Sequence, residues 1–445
     1  MKLDLANDKI NKIFYTLFAS ALGSTIISTI YATVDLICIG HYSGPAATAA
    51  ISFVNPLWGL MIGPGLLAGV GGSVMMSNRK ASGNVEAANA YYTISLVLSL
   101  IFSAIIFVAY NFFPYQLLSF FGAEGITLEY GVTYMRPVAV IAPTFTMSAC
   151  LSSFMRNDGE AVTPTVATAI GGVVNMFLDV FLVFGLDLGL LGAGLATAIG
   201  QTVAFLILAS YFLRKKCTIK LVKPKRVMEK TSRIVTLGAS AFILELAFAA
   251  TITVFNKQIN DRFGEAELAV FSTASTVVIM FICLFNAIGT ALQPIASTAY
   301  GGGRRDRVDK SLSISLKLAL LLGIVFFALA ELFPGAILKI YMDVSDEVMA
   351  VGPRIFRIYS LGIIFAGIST VSTYYFQSVL KRDFSMYVSL SRGLVLPIAL
   401  AILLPVLFGS EAIWWATVAA ELITFLLTVF FILREKKRIN APVDN

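Results

Sequence analysis

The sequence predicts an all-α integral membrane protein with twelve transmembrane helices, arranged as two parallel six-helix repeats around a central cavity. Hydrophobic residues make up 58% of the chain and charged residues only 13%, with a mean hydropathy of +0.84. Soluble domains carry about 25% charged residues. The apolar runs are about 20 residues or longer, and lipid requires their backbone groups to be bonded internally, so they must form helices.

Short polar breaks divide the apolar sequence into twelve predicted spans. They lie near residues 12–39, 46–77, 88–112, 128–154, 162–184, 190–213, 231–256, 266–299, 311–332, 349–378, 385–408 and 411–433. A signal peptide is not expected in the first span, because the span is too long and lacks a small-residue cleavage site. The spans therefore form the mature fold.

Basic residues gather on alternate loops and set the orientation. One side of the membrane, which we call the basic face, carries 25 Lys and Arg residues, and the opposite side carries three. Because basic loops stay in the cytoplasm, we expect both termini to be cytoplasmic. The basic run at 434–438 is then a cytoplasmic anchor, and no nucleic-acid partner is expected.

An internal repeat connects the two halves of the chain. At an offset of 220 residues, Gly69 matches Gly289, Ser77 matches Ser297, Gly83 matches Gly303, and Phe113–Pro114 matches Phe333–Pro334. The offset then slips by one, so that Gly131 and Arg136 match Gly352 and Arg357. Each half has an even number of spans, which makes the repeats parallel and predicts a substrate site near the midplane.

The repeat and the charge pattern together predict the domain boundaries. The N-lobe covers residues 1–214, a basic cytoplasmic linker covers 215–230, the C-lobe covers 231–433, and a cytoplasmic tail covers 434–445. In such a pair of repeats, rocking of one against the other gives alternating access.

A few acidic residues stand out at membrane depth, where a charge costs about 2.5–3.5 kcal/mol and usually marks function. Asp35 lies in the first span one turn after Tyr31, Asp179 lies in the fifth, and Glu245 lies in the seventh. Asn175 precedes Asp179 by four residues, so both side chains share one helical face. An amide oxygen beside a carboxylate suits a Na⁺ ion or a bound proton. The alternative is that each acid only hydrogen-bonds a neighbouring group.

Over its whole length the sequence resembles the MATE family, the multidrug and toxic compound extrusion transporters. The resemblance rests on VDLICIG at 34–40, on the Asn175 and Asp179 pair followed by GLLGAGLATAIGQ at 189–201, and on ALQPIASTAYGGGRR at 291–305. It implies two six-helix lobes with a central cavity, and drug efflux driven by inward H⁺ or Na⁺.

The resemblance also implies a cation or proton coupling site in the N-lobe. Asp35, Asn175, Asp179 and Thr197 match the family's site positions, and they would hold H⁺ or Na⁺. Glu245 resembles an acid of a second site in the C-lobe, but the tenth span has no acid to complete that site. We therefore expect coupling through the N-lobe.

Four residues are assigned to substrate binding or gating. They are Tyr31, Tyr134, Glu245 and Gln293.

These features predict a secondary antiporter that exports organic cations and drugs in exchange for H⁺ or Na⁺. We expect cationic amphiphiles as substrates, membrane lipid as the surroundings, a monomer, and no cofactor. A flippase for a lipid-linked saccharide or another amphiphile is the alternative. A membrane-embedded enzyme is a more distant alternative, because no G-x-S-x-G, H-E-x-x-H or Cys-His arrangement is present.

Overall fold

The computed structural model describes residues 3–212, 217–263, 265–341 and 346–440. Within these ranges every regular element is helical, and twelve helices are long and apolar enough to cross a membrane. The expected all-helical fold with twelve spans is confirmed. The chain divides into two compact units, one of Met1–Leu246 with Ser297–Val308 and one of Ala247–Ala296 with Asp309–Asn445. The lobe boundaries named above stay a prediction.

The first two spans belong to one helical assignment, α1 (Ile10–Ala81). Seventy-two residues at 1.5 Å per residue would reach about 108 Å, whereas the hydrocarbon core is about 30 Å thick. The helix must therefore turn back on itself. Its two ends do meet the same region: the Ser20 hydroxyl donates to Ala161 O, and the Ser77 hydroxyl donates to Asn157 O. The two arms, Ile10–Ser43 and Phe53–Ala81, each form one span.

The remaining helices of the first half surround these two arms. They are α2 (Val85–Phe112), α3 (Pro114–Phe120), α4 (Gly125–Asn157), α5 (Val162–Val180) and α6 (Gly189–Phe212). A π-helical turn at Phe181–Gly185 extends α5. Residues 217–226 follow without regular structure and pack on α2, where Lys220 N donates to Asn89 Oδ1 and Val222 N donates to Thr93 Oγ1.

The second half repeats this order. Its helices are α7 (Val227–Asn260), α8 (Glu265–Gly301), α9 (Arg305–Leu332), α10 (Pro334–Tyr341), α11 (Asp346–Ser378), α12 (Arg382–Leu390), α13 (Leu396–Phe408) and α14 (Ala416–Asn440). A π-helical turn at Ser391–Val395 joins α12 to α13, and a 3₁₀ turn at Ser410–Trp415 precedes α14. The predicted C-terminal tail thus begins as the end of a helix, and residues 441–445 lie outside the described residues.

The internal repeat is visible in the first and last residues of corresponding helices. Helix α2 and helix α9 begin and end 220 residues apart, and α4 and α11 end 221 residues apart, so the one-residue slip is present in the structure. Each Phe-Pro pair begins a short helix, α3 or α10, that was not predicted. Proline suits this first position, because its fixed φ matches the helix and its missing N–H has no helical partner there.

The segment before α1 docks on the basic face. Leu3 and Leu5 are buried, and Leu3 N donates to Gly159 O. The Arg307 guanidinium donates to the carbonyl oxygens of Leu5 and Asp8 at 3.2 and 2.9 Å. The start of the chain is therefore held by two apolar anchors and by a cation that binds its carbonyl groups.

Candidate functional site

Four helices of the first half bring one polar cluster together inside the bundle. Helix α1 supplies Asp35, α4 supplies Tyr134, α5 supplies Asn175 and Asp179, and α6 supplies Thr197. Asp179 is fully buried, and Asp35 and Asn175 are 8% and 3% exposed. We call these five residues the acceptor cluster.

Glycines allow α5 and α6 to approach closely beside this cluster. A Cβ atom on Gly200 would lie 2.6 Å from Gly171 O and 2.8 Å from Asn175 Cβ, and one on Gly171 would lie 2.7 Å from Gly200 O. Only a residue without Cβ fits at such distances. The glycine pair therefore fixes the spacing between Asn175 on α5 and Thr197 on α6.

Three hydrogen bonds link the side chains of the cluster. The Tyr134 hydroxyl donates to Asp35 Oδ2 at 2.8 Å and lies 3.4 Å from Thr197 Oγ1. The Asn175 amide donates from Nδ2 to Thr197 Oγ1 at 3.3 Å. The structure places Tyr134 against Asp35 and Thr197, two of the residues predicted to form the coupling site, and its assignment to substrate binding or gating stays a prediction. A bond between residues 99 positions apart gives no local signal in the sequence.

The acceptor cluster has more acceptors than donors. Asp35 Oδ1, Asn175 Oδ1 and both carboxylate oxygens of Asp179 are buried without a hydrogen-bond partner in the described part of the chain. The two carboxyl groups also lie within hydrogen-bonding reach of each other. Ionised carboxylates only accept, so a facing pair is satisfied when one of them is protonated or when a cation lies between them.

A cavity of about 220 Å³, lined by both apolar and polar side chains, adjoins the cluster on the side toward the basic face. We call it the polar cavity, for the hydroxyl and amide groups on its wall. Asn175 and Thr197 line one end of it, and the other polar lining residues are Tyr31, Ser28, Ser148, Ser152, Thr168 and Gln201. Tyr31, which was predicted to act in substrate binding or gating, therefore faces this cavity. The cavity is large enough for several water molecules and polar enough to hold them.

Comparison with known protein families identifies the chain. A family model described as MatE matches residues 21–181 and 239–403, which together exceed half of the chain. The chain belongs to the MATE family. The first matched segment contains Asp35, Asn175 and Asp179, and the second contains Glu245 and Gln293.

Curated multidrug export proteins match almost the whole chain. The multidrug export protein MepA of Staphylococcus haemolyticus is 22% identical over 421 residues, which cover 94% of this chain and 92% of that protein. MepA of Staphylococcus saprophyticus is 23% identical over 418 residues, which cover 93% and 91%. Each match therefore spans nearly the full length of both chains that it compares.

Solved structures show the same fold. A multidrug resistance MATE family transporter in an outward-facing conformation superposes with a TM-score of 0.88 at 21% identity, covering 98% of this chain and 99% of that one. A transporter of the MOP superfamily from Pyrococcus furiosus, described as having a binding pocket of reverse polarity, gives the same TM-score at 20% identity and the same coverage.

Two predicted site residues lie apart from the acceptor cluster. Glu245 on α7 has an exposed side chain, and its backbone packs against Gly59 of α1, where an added Cβ would lie 3.3 Å from Glu245 O. Gln293 on α8 is buried, and its amide donates to Gln377 Oε1 at 2.8 Å. Gln293 thus pairs with the end of α11, and the assignment of both residues to substrate or gating stays a prediction.

A buried acid inside the twelfth predicted span was missed by the sequence analysis. Glu421 on α14 accepts two hydrogen bonds from Arg392 Nε, at 2.8 and 3.1 Å, and Arg392 also donates to Thr370. Arg392 lies in the π-helical turn between α12 and α13, and Thr251 on α7 donates to the carbonyl of Gly393 in the same turn. Arg392 and Glu421 thus form a buried ion pair between this turn and α14.

Proposed function

We propose that this MATE family protein is a secondary antiporter that exports organic cations and drugs in exchange for H⁺ or Na⁺. It is a multi-pass membrane protein, and within the proposal it is a monomer of the prokaryotic inner membrane with the basic face in the cytoplasm. Export rather than a chemical reaction is supported by the curated relatives, which are named multidrug export proteins.

One observation carries the coupling part of the proposal. The acceptor cluster buries four unpartnered oxygen atoms, and two carboxyl groups face each other within it. A buried carboxylate without a donor is costly, and a proton or a Na⁺ ion removes that cost. Oxygen ligands of this kind suit a hard cation. The cluster is thus able to take up an ion from one side of the membrane and release it to the other.

Binding of the ion must favour one state of the transporter for this to drive export. A ligand shifts a conformational equilibrium only by its differential affinity for the two states. We propose that the loaded cluster favours the return to the state open to the basic face, where the drug binds next. One charge moving down 100 mV supplies about 2.3 kcal/mol, roughly fifty-fold in drug concentration.

The test is efflux of a fluorescent organic cation from proteoliposomes under separately imposed pH and Na⁺ gradients. Wild type, Asp35→Asn and Asp179→Asn are compared, with Glu129→Gln as the matched control because Glu129 is an exposed acid on α4. We expect one gradient to drive export by wild type and by the control, and neither aspartate variant to respond. Gradient-driven export by both aspartate variants at the wild-type rate would refute the proposal.

A further inference from the structure

The polar cavity ends toward the basic face at a second group of side chains. Arg156 on α4 donates to the hydroxyl oxygens of Ser20 and Ser24 on α1, at 3.5 and 3.2 Å. Ser24 donates to Thr165 Oγ1 on α5 at 3.1 Å, and Thr165 donates to Ser20 O at 2.8 Å. We call Arg156, Ser20, Ser24 and Thr165 the arginine seal.

Helical spacing places the seal one turn beyond the cavity on three helices. On α1, Ser28 lines the cavity and Ser24 precedes it by four residues. On α4, Ser152 lines the cavity and Arg156 follows it by four residues. Residues four apart lie on the same helical face.

The third helix, α5, shows the same arrangement. Thr168 lines the cavity, and Thr165 lies three residues before it, nearer to the start of the helix. Residues three apart also share a helical face. The seal therefore lies just beyond the end of the cavity that is remote from Asn175 and Thr197.

The side chains between the acceptor cluster and the arginine seal suit a hydrated cation or a proton. From the acceptor cluster toward the basic face, the cavity presents hydroxyl groups on α1, α4 and α5 and the side chain of Gln201 on α6. Hydroxyl groups both donate and accept, so they hold water in either orientation. Asp35 and Ser24 are eleven positions apart on α1, which corresponds to about 16 Å along the helix axis.

A guanidinium at this end of the cavity opposes the passage of a cation. Arginine stays positively charged, and a cation that approaches it through a narrow polar passage is repelled. The repulsion is weakened only if Arg156 moves or if its charge is screened. A closed seal prevents the ion gradient from dissipating while no drug is carried.

We propose that the coupling ion leaves the acceptor cluster for the basic face through this cavity inside the first repeat, and that the arginine seal is its gate. This inference rests on the proposed function, because it assigns the release route of the ion that the acceptor cluster holds. The drug takes a separate route, since a cavity of about 220 Å³ is too small for a drug-sized molecule.

The test measures ion flux in the absence of drug. Proteoliposomes with a pH-sensitive dye inside receive an imposed H⁺ gradient, and a parallel set receives a Na⁺ gradient with tracer. The variants are Arg156→Gln, Arg156→Lys, and Arg136→Gln as the matched control, because Arg136 is an exposed arginine on the same helix. We expect Arg156→Gln to raise the drug-free flux about tenfold, and Arg156→Lys and Arg136→Gln to stay as tight as wild type.

A second substitution distinguishes ion flux through an opened gate from a general leak caused by damage to the protein. In the Asp179→Asn background the extra flux of Arg156→Gln should disappear, because the ion no longer reaches the seal through the acceptor cluster. Flux that persists at full size in that background, or an Arg156→Gln protein as tight as wild type, would overturn the inference.

Measurements of drug export in the same variants distinguish failure of the proposed function from failure of the seal. Antiport that survives Asp179→Asn refutes the proposed function. A tight Arg156→Gln protein beside an Asp179→Asn protein that has lost antiport refutes only the seal.

Discussion

The glycine contact between α5 and α6 gives a sharp prediction for the acceptor cluster. In Gly200→Ala the new methyl group would start 2.8 Å from Asn175 Cβ and 2.6 Å from Gly171 O, whereas ordinary contact begins at 3.4 Å. Asn175 must therefore retreat by about 0.6 Å or more. Its bond to Thr197 is already 3.3 Å long and would lengthen to about 3.9 Å, beyond hydrogen-bonding distance.

The expected magnitude follows from these displacements. Overpacking of this kind costs about 1–3 kcal/mol of stability. Loss of the hydrogen bond adds about 0.5–1.5 kcal/mol and leaves the Asn175 amide loose beside Asp179. If the bond acts only in the ion-loaded state, about 1.4 kcal/mol corresponds to a tenfold weaker response to the ion. We expect a lower melting temperature and a gradient dependence of efflux shifted about tenfold.

The assays are thermal unfolding of the purified protein and gradient-driven efflux in proteoliposomes. Gly185→Ala is the matched control, because its new methyl group would meet its nearest neighbour, Phe181 Cδ2, at 3.4 Å. That variant should equal wild type, since alanine is otherwise the better helix former. A Gly200→Ala protein that melts and transports like the control would show that the spacing of α5 and α6 does not set the geometry of the site.

Three further substitutions test other parts of the structure. Tyr134→Phe removes the donor to Asp35 Oδ2, so we expect normal folding in thermal unfolding but an altered ion dependence of efflux, because only the acceptor cluster changes. Arg392→Gln leaves Glu421 buried without its cation; breaking such a pair costs about 3–5 kcal/mol, so the melting temperature should fall, and Glu421→Gln added to it should restore part of the loss. Leu5→Asp places a charge in a buried apolar site, so limited proteolysis should cut the N-terminal segment faster than in wild type.

Each of these outcomes has a clear contrary result. An unchanged ion dependence of efflux in Tyr134→Phe would mean that the Tyr134 hydroxyl takes no part in ion coupling. A double Arg392 and Glu421 variant no more stable than Arg392→Gln would mean that the two side chains act independently. Proteolysis of Leu5→Asp at the wild-type rate would show that docking depends on the Arg307 contacts alone.

Asp4 lies in the segment before α1, outside the membrane-spanning helices. A hydrogen bond from the Asn7 side chain holds the pKa of Asp4 below its ordinary value of 3.8. Because this bond lies inside the segment, Asp4 stabilises the turn from Asp4 to Asn7 above pH 3.8, and the effect is lost as the pH falls through the lowered pKa. Proteolysis at neutral pH therefore tests the segment with this turn formed.

The sequence predicted the spans well because the bilayer imposes one simple requirement on them. Apolar length alone located all twelve spans, and the Phe-Pro pairs at 113 and 333 located the repeat. The short helices α3 and α10 were missed because seven or eight residues carry too little periodicity to distinguish a helix from a polar break. The turn inside α1 was predicted as a gap between spans, which is correct for the topology though not for the helical assignment.

Within the site, the sequence predicted only contacts between residues that lie close together in the chain. Asn175 and Asp179 share a helical face four residues apart, which the sequence shows directly. Tyr134 and Asp35 meet across 99 residues, and Arg392 and Glu421 meet across 29, and neither pair has a spacing that a single helix would set. Only the packing of separate helices brings such pairs together.

The internal repeat relates the Arg392 and Glu421 ion pair to the cavity of the first repeat. At the 221-residue offset that α4 and α11 show, Arg392 corresponds to Gly171 and Glu421 corresponds to Gly200, and both glycines line the cavity of the first repeat. In the second repeat a guanidinium and a carboxylate therefore occupy the positions that border the cavity in the first. The first repeat buries unpartnered acceptors beside an open polar cavity, and the second carries its own bound cation. A fixed internal cation needs no ion from solution, which supports the proposal that ion coupling belongs to the first repeat.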